Sequence, residues 1–177
     1  MKRPKVLFWI CFVVWLILDI ITKVWIVEFL KDNPPVVIIP NFFRLIYHTN
    51  TGVAFGLFSH PPYNKILPFF ILGLLVWMIY WARTLAWEKK IINFGTALIA
   101  AGALGNVIDR LRQGFVIDFL DFNFLGWSYP TFNVADSGIC IGLALVLLSE
   151  WKKWKYEQTT TRNFRIKKEE ERSHFGT

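Results

Sequence analysis

The sequence lacks the short motifs that mark many familiar catalytic sites. It has no glycine-rich phosphate-binding loop, no Gly-x-Ser-x-Gly nucleophile elbow and no histidine–cysteine cluster with metal-ligand spacing. These absences argue against a nucleotide-dependent enzyme, an α/β-hydrolase and a metalloenzyme, so we expect no metal and no cofactor. No internal repeat or low-complexity segment is evident either. Any chemistry must come from other side chains.

Cysteine is also scarce, with Cys11 and Cys140 both falling inside apolar runs. A disulfide has no need to form there, and we expect each cysteine to pack as a small apolar residue. The first apolar run lacks a small-residue cleavage site and is too long for a cleavable signal peptide. We therefore interpret it as a permanent membrane anchor.

Apolar side chains are abundant. Hydrophobic residues make up 54% of the 177 positions, with nine Trp and seventeen Phe. This exceeds what a soluble domain of that length can bury, and it predicts a membrane protein. We predict a mainly α, polytopic fold with four transmembrane helices and a small extracytoplasmic β-sheet or hairpin. The predicted spans are residues 6–27, 66–82, 91–108 and 132–148.

The formal net charge is +7. A basic balance could indicate nucleic acid, but here its placement indicates membrane topology instead, and we expect no nucleic-acid partner. By the positive-inside rule, the basic clusters flanking the spans lie on the cytoplasmic side, together with both termini. These clusters are Lys2, Arg3 and Lys5; Arg83, Lys89 and Lys90; and Lys152, Lys153 and Lys155.

Residues 1–155 are predicted to form the membrane domain, with an outer β element at about 33–60. "VVIIP" and "FFRLIYH" read as short strands joined by a turn at Pro40–Asn41. Gly52 and Gly56 follow in "TNTGVAFGLF", a possible strand that could also form a mobile flap. Residues 156–177 are predicted to be a charged cytoplasmic tail, either a solvated helix or disordered.

Ionisable groups at membrane depth are costly, so each requires a partner or a purpose. In the predicted topology all of them lie near the outer surface. Asp19 and Lys23 are four residues apart and share a helix face, as do Asn106 and Arg110, with Asp109 beside them. These polar groups could face a common site. An equally good interpretation is that they form ion pairs that hold the bundle together, Asp19 with Lys23, and Asp109 with Arg110 or with a neighbouring helix.

Asp118 and Asp136 differ from these. Asp118 lies in the apolar segment "GFVIDFLDF", and no basic residue is adjacent to it in sequence. Asp136 lies in the first turn of the fourth span, three residues after the natural N-cap Asn133, where the helix dipole favours an ionised carboxylate. Taken singly, Asp136 could be a plain capping acid and Asp118 a solvated loop acid. Taken together they suggest a carboxylate pair that shares one proton and hydrolyses an amide.

Five ordered motifs on four spans resemble the bacterial lipoprotein signal peptidase family, also called signal peptidase II. The resemblance covers residues 6 to 150 and leaves out the tail. Ile20 and Val53 depart from the residues usual in the family. The motifs are "DIITK" (19–23), "NTGVAF" (50–55), "GALGNVIDR" (102–110), "GFVIDF" (114–119) and "FNVAD" (132–136).

The resemblance implies an intramembrane aspartic endopeptidase of the bacterial cytoplasmic (inner) membrane. Its substrates would be prolipoproteins carrying a diacylglyceryl cysteine, cut just before that cysteine, with membrane lipid as a further partner. The family's catalytic dyad falls on Asp118 and Asp136, near the outer face, and we expect a monomer. Supporting positions fall on Asp19, Lys23, Asn50, Gly52, Asn106, Asp109, Arg110 and Asn133.

Asp109 could replace Asp118 in the dyad, but the neighbouring Arg110 argues against it, since an ion-paired carboxylate is a poor proton shuttle. Which of Asp118 and Asp136 is protonated stays open. Two rival functions also remain at this point. A proton-coupled transporter would place Asp and Lys inside a bundle but scatter them through its depth, and a structural membrane subunit would leave Asp118 and Asp136 unexplained.

Overall fold

The computed structural model describes residues 5–52, 63–84 and 90–174. This part of the chain forms four helices and one four-stranded antiparallel sheet, as predicted for the fold class. The helices are α1 (Lys5–Leu30), α2 (Tyr63–Thr84), α3 (Lys90–Gln113) and α4 (Val134–His174). The strands are β1 (Val36–Ile39), β2 (Phe43–Asn50), β3 (Val116–Phe124) and β4 (Trp127–Ser128).

Within the described residues, three helices are long and apolar enough to cross a membrane: Val6–Leu30 of α1, Lys90–Gln113 of α3 and Val134–Arg162 of α4. The apolar stretch of α2 is shorter, Pro68–Met78. Large apolar side chains stand exposed along α1, α2 and α4. Exposed apolar surface on this scale requires lipid around the helices, so the protein is a multi-pass membrane protein.

Helix α3 is the central element of the bundle and packs against the other three helices. Its residues are mostly buried and many are small. A Cβ atom added to Gly95 would lie 2.7 Å from the backbone oxygen of Gly142 on α4, and one added to Gly102 would overlap the backbone of Ala135. Small residues therefore let α3 and α4 approach backbone to backbone, as is common between transmembrane helices. This contact brings the polar ends of both helices together.

The sheet lies at the end of the bundle where α1 ends, with its strands in the order β1-β2-β3-β4. Ile117 and Phe119 of β3 pack with Ile26 and Leu30 at the end of α1. Because side chains alternate along a strand, Asp118 points to the opposite face. One face of β3 thus anchors the sheet to the helices, while the other carries the carboxylate.

Two turns set the position of β2 and β3. The predicted turn between β1 and β2 is confirmed, with Asn41 at a φ of 57° and Phe42 N donating to Ile39 O at 3.1 Å. Gly114, at a φ of 83°, ends α3 and donates its backbone N–H to Arg110 O at 3.0 Å. A left-handed glycine after the last helical turn is a common helix stop. It redirects the chain from α3 into β3, four residues before Asp118.

Helix α4 continues through residue 155 to His174, so no element boundary separates the predicted tail from the membrane domain. Of the two states expected for this segment, the helical one is found over its described part. Cys11 is half-buried and Cys140 exposed, and both are free. Gly56 and most of the possible strand "TNTGVAFGLF", from residue 53 onward, lie outside the described residues.

Candidate active site

Asp118 lies in the middle of β3 and is only 2% exposed, which rules out a solvated loop acid. Its Oδ2 accepts a hydrogen bond from Asn50 Nδ2 at 3.0 Å, and its Oδ1 accepts one from Asn133 Nδ2 at 2.7 Å. Asn50 pairs with Val116 across the β2–β3 ladder, so it is the diagonal neighbour of Asp118 on the same face. The sheet register therefore delivers Asn50 to this carboxylate.

Asp136 lies in the first turn of α4 and forms a reciprocal cap with Asn133. Asp136 N donates to Asn133 Oδ1 at 2.9 Å, and Asn133 N donates to Asp136 Oδ2 at 3.3 Å. The predicted N-cap is thus confirmed, in the arrangement of a capping box. Asp136 is also more than a cap, because its Oδ1 accepts a hydrogen bond from Asn106 Nδ2 of α3 at 2.8 Å.

Asn133 connects the two carboxylates. It is fully buried, its side-chain NH₂ donates to Asp118, and its side-chain oxygen and backbone N–H bond to Asp136. Both aspartates line one cavity of about 680 Å³ with mainly apolar walls. A pair of carboxylates held by shared amide contacts at the wall of an apolar cavity can act on a substrate that is itself largely apolar.

Behind this pair lies a buried ion cluster centred on Lys23, which is 3% exposed. The Nζ atom of Lys23 lies 2.8 Å from Asp19 Oδ2 and 2.9 Å from Asp109 Oδ2, and it donates to Asn106 Oδ1 at 3.0 Å. An ammonium group has three N–H donors and no acceptor, so it orients the Asn106 amide with its oxygen inward. The NH₂ group of Asn106 then faces Asp136.

Asp19 and Asp109 also bind backbone groups. Asp19 Oδ1 accepts from Ala135 N, at the start of α4, at 2.8 Å, and Asp109 Oδ2 accepts from Ile117 N, beside Asp118, at 3.4 Å. The Lys23 cluster therefore ties both segments that bear the paired carboxylates to α1 and α3.

Arg110 ties the end of β2 to α3. Its guanidinium donates to the backbone oxygen of Gly52 and to that of Asn106, the latter at 3.3 Å. Gly52 N in turn donates to Asn50 Oδ1 at 3.0 Å, which leaves the NH₂ group of Asn50 facing Asp118. Arg110 thus supports the chain segment that carries Asn50.

The structure brings the predicted site residues into one connected network, but it corrects one pairing. Asp109 pairs with Lys23 of α1, while Arg110 reaches the Gly52 carbonyl. Consecutive residues on a helix point in different directions, so Asp109 and Arg110 are poorly placed to pair with each other. Of the two partners predicted for Asp109, the neighbouring helix is the correct one. Asp109 faces Lys23 and is not among the residues that line the cavity of Asp118 and Asp136.

Burial, and after it the negative charge of Asp136, raises the pKa of Asp118 from 3.8 to about 7. Between about pH 4 and 7 the folded protein therefore holds a proton that the unfolded chain has lost. The free energy of unfolding should fall as pH rises through this window, by an amount on the order of a few kcal/mol.

The asparagine of Asp118→Asn cannot ionise, so the variant should not lose stability as pH rises. The free energy of unfolding of the variant minus that of wild type should therefore increase by a few kcal/mol, the size of the expected wild-type loss, between about pH 4 and 7. Chemical unfolding in detergent at several pH values measures this difference. Asp121→Asn, on the same strand, is the control. A stability difference between Asp118→Asn and wild type that does not change with pH would contradict the elevated pKa.

Sequence reasoning missed β3 as a full strand and, apart from Asp118, the residues that line the cavity from it, which are Val116, Phe122 and Phe124. Asp121 is buried and pairs with Arg44 of β2, while Phe122 stacks on Phe43 and Phe132. In the run "VIDFLDFNF", polar and apolar residues alternate only over residues 121–124, which is a short strand signal. The rest of the strand shows no alternation of polar and apolar residues, because both of its faces are largely buried.

Residues 11–152 match the family described as Signal peptidase (SPase) II. Among curated relatives, the lipoprotein signal peptidase of Thermodesulfovibrio yellowstonii is 42% identical over 140 residues, covering 78% of this chain and 90% of the relative. The lipoprotein signal peptidase of Syntrophotalea carbinolica is 39% identical over 141 residues, covering 76% of this chain and 84% of the relative.

A solved structure described as "Bacterial membrane enzyme structure by the in meso method at 2.3 A resolution" is also similar. It superposes with a TM-score of 0.72 at 31% sequence identity, covering 82% of this chain and 87% of that one. The arrangement of helices and sheet is therefore shared with that enzyme.

Proposed function

The chain belongs to the signal peptidase II family of aspartic peptidases, which process lipoprotein precursors, and from that premise we propose that Asp118 and Asp136 are its catalytic dyad. The observation that carries the proposal is geometric. The two carboxylates line one cavity and are joined through Asn133, whose side-chain NH₂ donates to Asp118 and whose backbone N–H donates to Asp136. Asp109, the other candidate, is engaged by Lys23.

In the proposed mechanism, Asp136 is ionised and takes a proton from water as the water oxygen attacks the scissile carbonyl carbon. The N-terminus of α4 and the Asn106 amide favour the ionised form. Protonated Asp118 donates its proton to the carbonyl oxygen, giving a tetrahedral diol. Asp136 then protonates the leaving amine while Asp118 recovers a proton from a diol hydroxyl, which releases amine and acid and restores both groups.

The raised pKa of Asp118, about 7, supports its assignment as the protonated partner near neutral pH. Two close carboxylates do not ionise together easily, so environments that differ assign the acid and the base. Asp118 is buried in the sheet and accepts from two side-chain amides, whereas Asp136 lies at a helix N-terminus and accepts from a backbone N–H and a side-chain amide. This difference favours the stated roles over the reverse.

We further propose that the substrates are prolipoproteins with a diacylglyceryl cysteine, cleaved just before that cysteine. The protein would reside in the bacterial inner membrane with four spans, both termini cytoplasmic and the dyad near the outer face. It would act as a monomer. Residues 1–155 would form the membrane peptidase domain, and residues 156–177 would form a cytoplasmic tail. The mainly apolar cavity wall beside the dyad suits a lipidated substrate arriving laterally from the membrane.

The test incubates the purified protein in detergent with a diacylglyceryl prolipoprotein, with EDTA and without nucleotide, and identifies the released signal peptide by mass spectrometry. Cleavage immediately before the cysteine is expected. Asp136→Asn should lower kcat by about 10²–10⁴-fold. The precursor without diacylglyceryl serves as the substrate control. If Asp136→Asn kept most of the activity, the catalytic role of Asp136 would be ruled out. If the wild-type protein did not cleave the precursor, the peptidase function would be rejected, and a transporter or a structural subunit would remain as the candidate functions.

A further inference from the structure

The connection between β3 and β4 is a two-residue turn with an unusual occupant. Phe124 pairs with Trp127, and the two residues between them, Leu125 and Gly126, have φ values of 52° and 90°. Tight hairpin turns of this class favour Asn or Gly at both positions because L side chains resist positive φ. Leucine is therefore unfavourable here for the backbone, and its side chain is fully exposed, at 107%. In water it would be unfavourable on both counts.

The residues around this turn form an apolar surface, here called the aromatic tip: Phe124, Leu125, Trp127 and Tyr129. Their exposed fractions lie between 45% and 107%. The rings of Trp127 and Tyr129 touch with their centroids 5.8 Å apart, and Phe124 lies 6.4 Å from Trp127. From residue 122 to residue 133 the sequence has no Asp, Glu, Lys or Arg. The aromatic tip is thus a continuous uncharged patch.

The aromatic tip is continuous with the membrane-facing part of the protein. Phe124 and Tyr129 line the same cavity as Ile71 of α2 and Ile139 of α4. Close to these positions, Phe69 and Phe70 of α2 and Ile141 and Leu143 of α4 are exposed, and the lipid of the bilayer must cover them. The tip therefore borders the cavity on the side where the helices meet lipid.

We propose that the aromatic tip inserts into the outer part of the bilayer and anchors the sheet to the membrane. Its partner is the lipid surface, because the patch continues an apolar surface that lipid already covers. Trp and Tyr favour the membrane interface, where the ring is buried and the polar atom stays hydrated. The fully exposed Leu125 then projects deeper, among acyl chains.

Insertion of the aromatic tip would hold the rim of the cavity against lipid. A lipidated precursor could then reach Asp118 and Asp136 without its acyl chains crossing water. This consequence rests on the proposed function, whereas the anchor itself rests only on the fold and the exposed residues.

The test measures the depth of a spin label in vesicles of phosphatidylethanolamine and phosphatidylglycerol. The label is attached at Leu125→Cys in a full-length Cys11→Ala/Cys140→Ala background. Asp32→Cys, in the exposed turn after α1, is the water reference, and Ile17→Cys, exposed on α1, is the lipid reference. Electron paramagnetic resonance compares collisions with oxygen, which concentrates in lipid, and with a water-soluble nickel chelate.

The label at position 125 should resemble the label at position 17, with nickel accessibility several-fold lower than at position 32 and higher oxygen accessibility. Values equal to those at position 32 would overturn the anchor. Low accessibility to both reagents would also overturn it, since protein would then cover the patch. The accessibility measurement requires no turnover, so a negative result would not affect the proposed dyad. Conversely, activity of the Asp136→Asn enzyme would rule out the dyad but would not change the accessibilities measured at position 125.

Discussion

Replacing Asp118 with asparagine should lower kcat for prolipoprotein cleavage by about 10²–10⁴-fold while the protein stays folded. Asparagine keeps the size and polarity of the side chain but cannot donate a carboxylic proton to the scissile carbonyl. Asp118 is buried, and both its oxygens accept hydrogen bonds from asparagine amides, so the shape of the site should survive the change. Signal-peptide release at saturating substrate measures the effect.

The pH dependence of the wild-type enzyme tests the same role independently. The pKa of Asp118 is about 7, and the mechanism requires its protonated form. Above that pH the protonated fraction decreases tenfold per unit, so kcat/KM should decline with the same slope. At low pH, kcat/KM should decline again as Asp136 becomes protonated. A profile that stays flat from about pH 6 to 9 would contradict the assignment of Asp118 as the acid.

Asp121→Asn is the matched control for Asp118→Asn. Asp121 lies on the same strand, is also buried, and pairs with Arg44 rather than with Asn133. Its loss should change stability modestly and leave kcat within a few-fold of wild type. Equal losses in both variants would mean that β3 is sensitive to any loss of a carboxylate, and the catalytic role of Asp118 would be rejected.

Replacing Lys23 with methionine should destabilise the protein strongly, by about 3–5 kcal/mol. Methionine has a similar length but cannot pair with Asp19 or Asp109, and both of these carboxylates would remain buried without their cation. The unfolding temperature in detergent should fall by roughly 10 °C. Lys31→Met, which removes an exposed lysine just beyond the same helix, should leave it nearly unchanged.

A double-mutant cycle separates the ion pair from simple packing. When Asp19→Asn is already present, Lys23→Met leaves only Asp109 without its cation. The loss in free energy of unfolding caused by Lys23→Met should then be clearly smaller than in the wild-type background. Additive losses would show that Lys23 contributes through packing of its aliphatic chain, and the ion-pair account would fail. Activity measured on the folded fraction should also drop, because Lys23 orients the Asn106 amide toward Asp136.

Local features of the fold were accessible from sequence because their causes are local. Apolar runs of about 20 residues predict membrane helices, because backbone N–H and C=O groups in lipid must bond to each other and a helix satisfies them within one segment. The Pro40–Asn41 turn and the Asn133 cap follow from the backbone preferences of those residues, and both are present. Strand β3 was missed because it is buried on both faces and so lacks a simple alternation.

The candidate site was predictable as a set of residues but not as a network. Helical spacing correctly paired Asp19 with Lys23, since four residues span one turn. It could not show that Asp109 also joins Lys23, because that contact crosses from α3 to α1 and depends on how the two helices pack.

The sequence by itself determined the kind of protein: a membrane-embedded bundle with a small sheet, with polar groups gathered near one end, in the motif order of the signal peptidase II family. Only the tertiary structure decided which polar groups meet. Asp118 and Asp136 come from a strand and a helix whose relative position depends on the close approach of α3 and α4 and on the turn at Gly114. The cap between Asn133 and Asp136 is local, but the bond from Asn133 to Asp118 joins different elements, and no local preference in the chain encodes it.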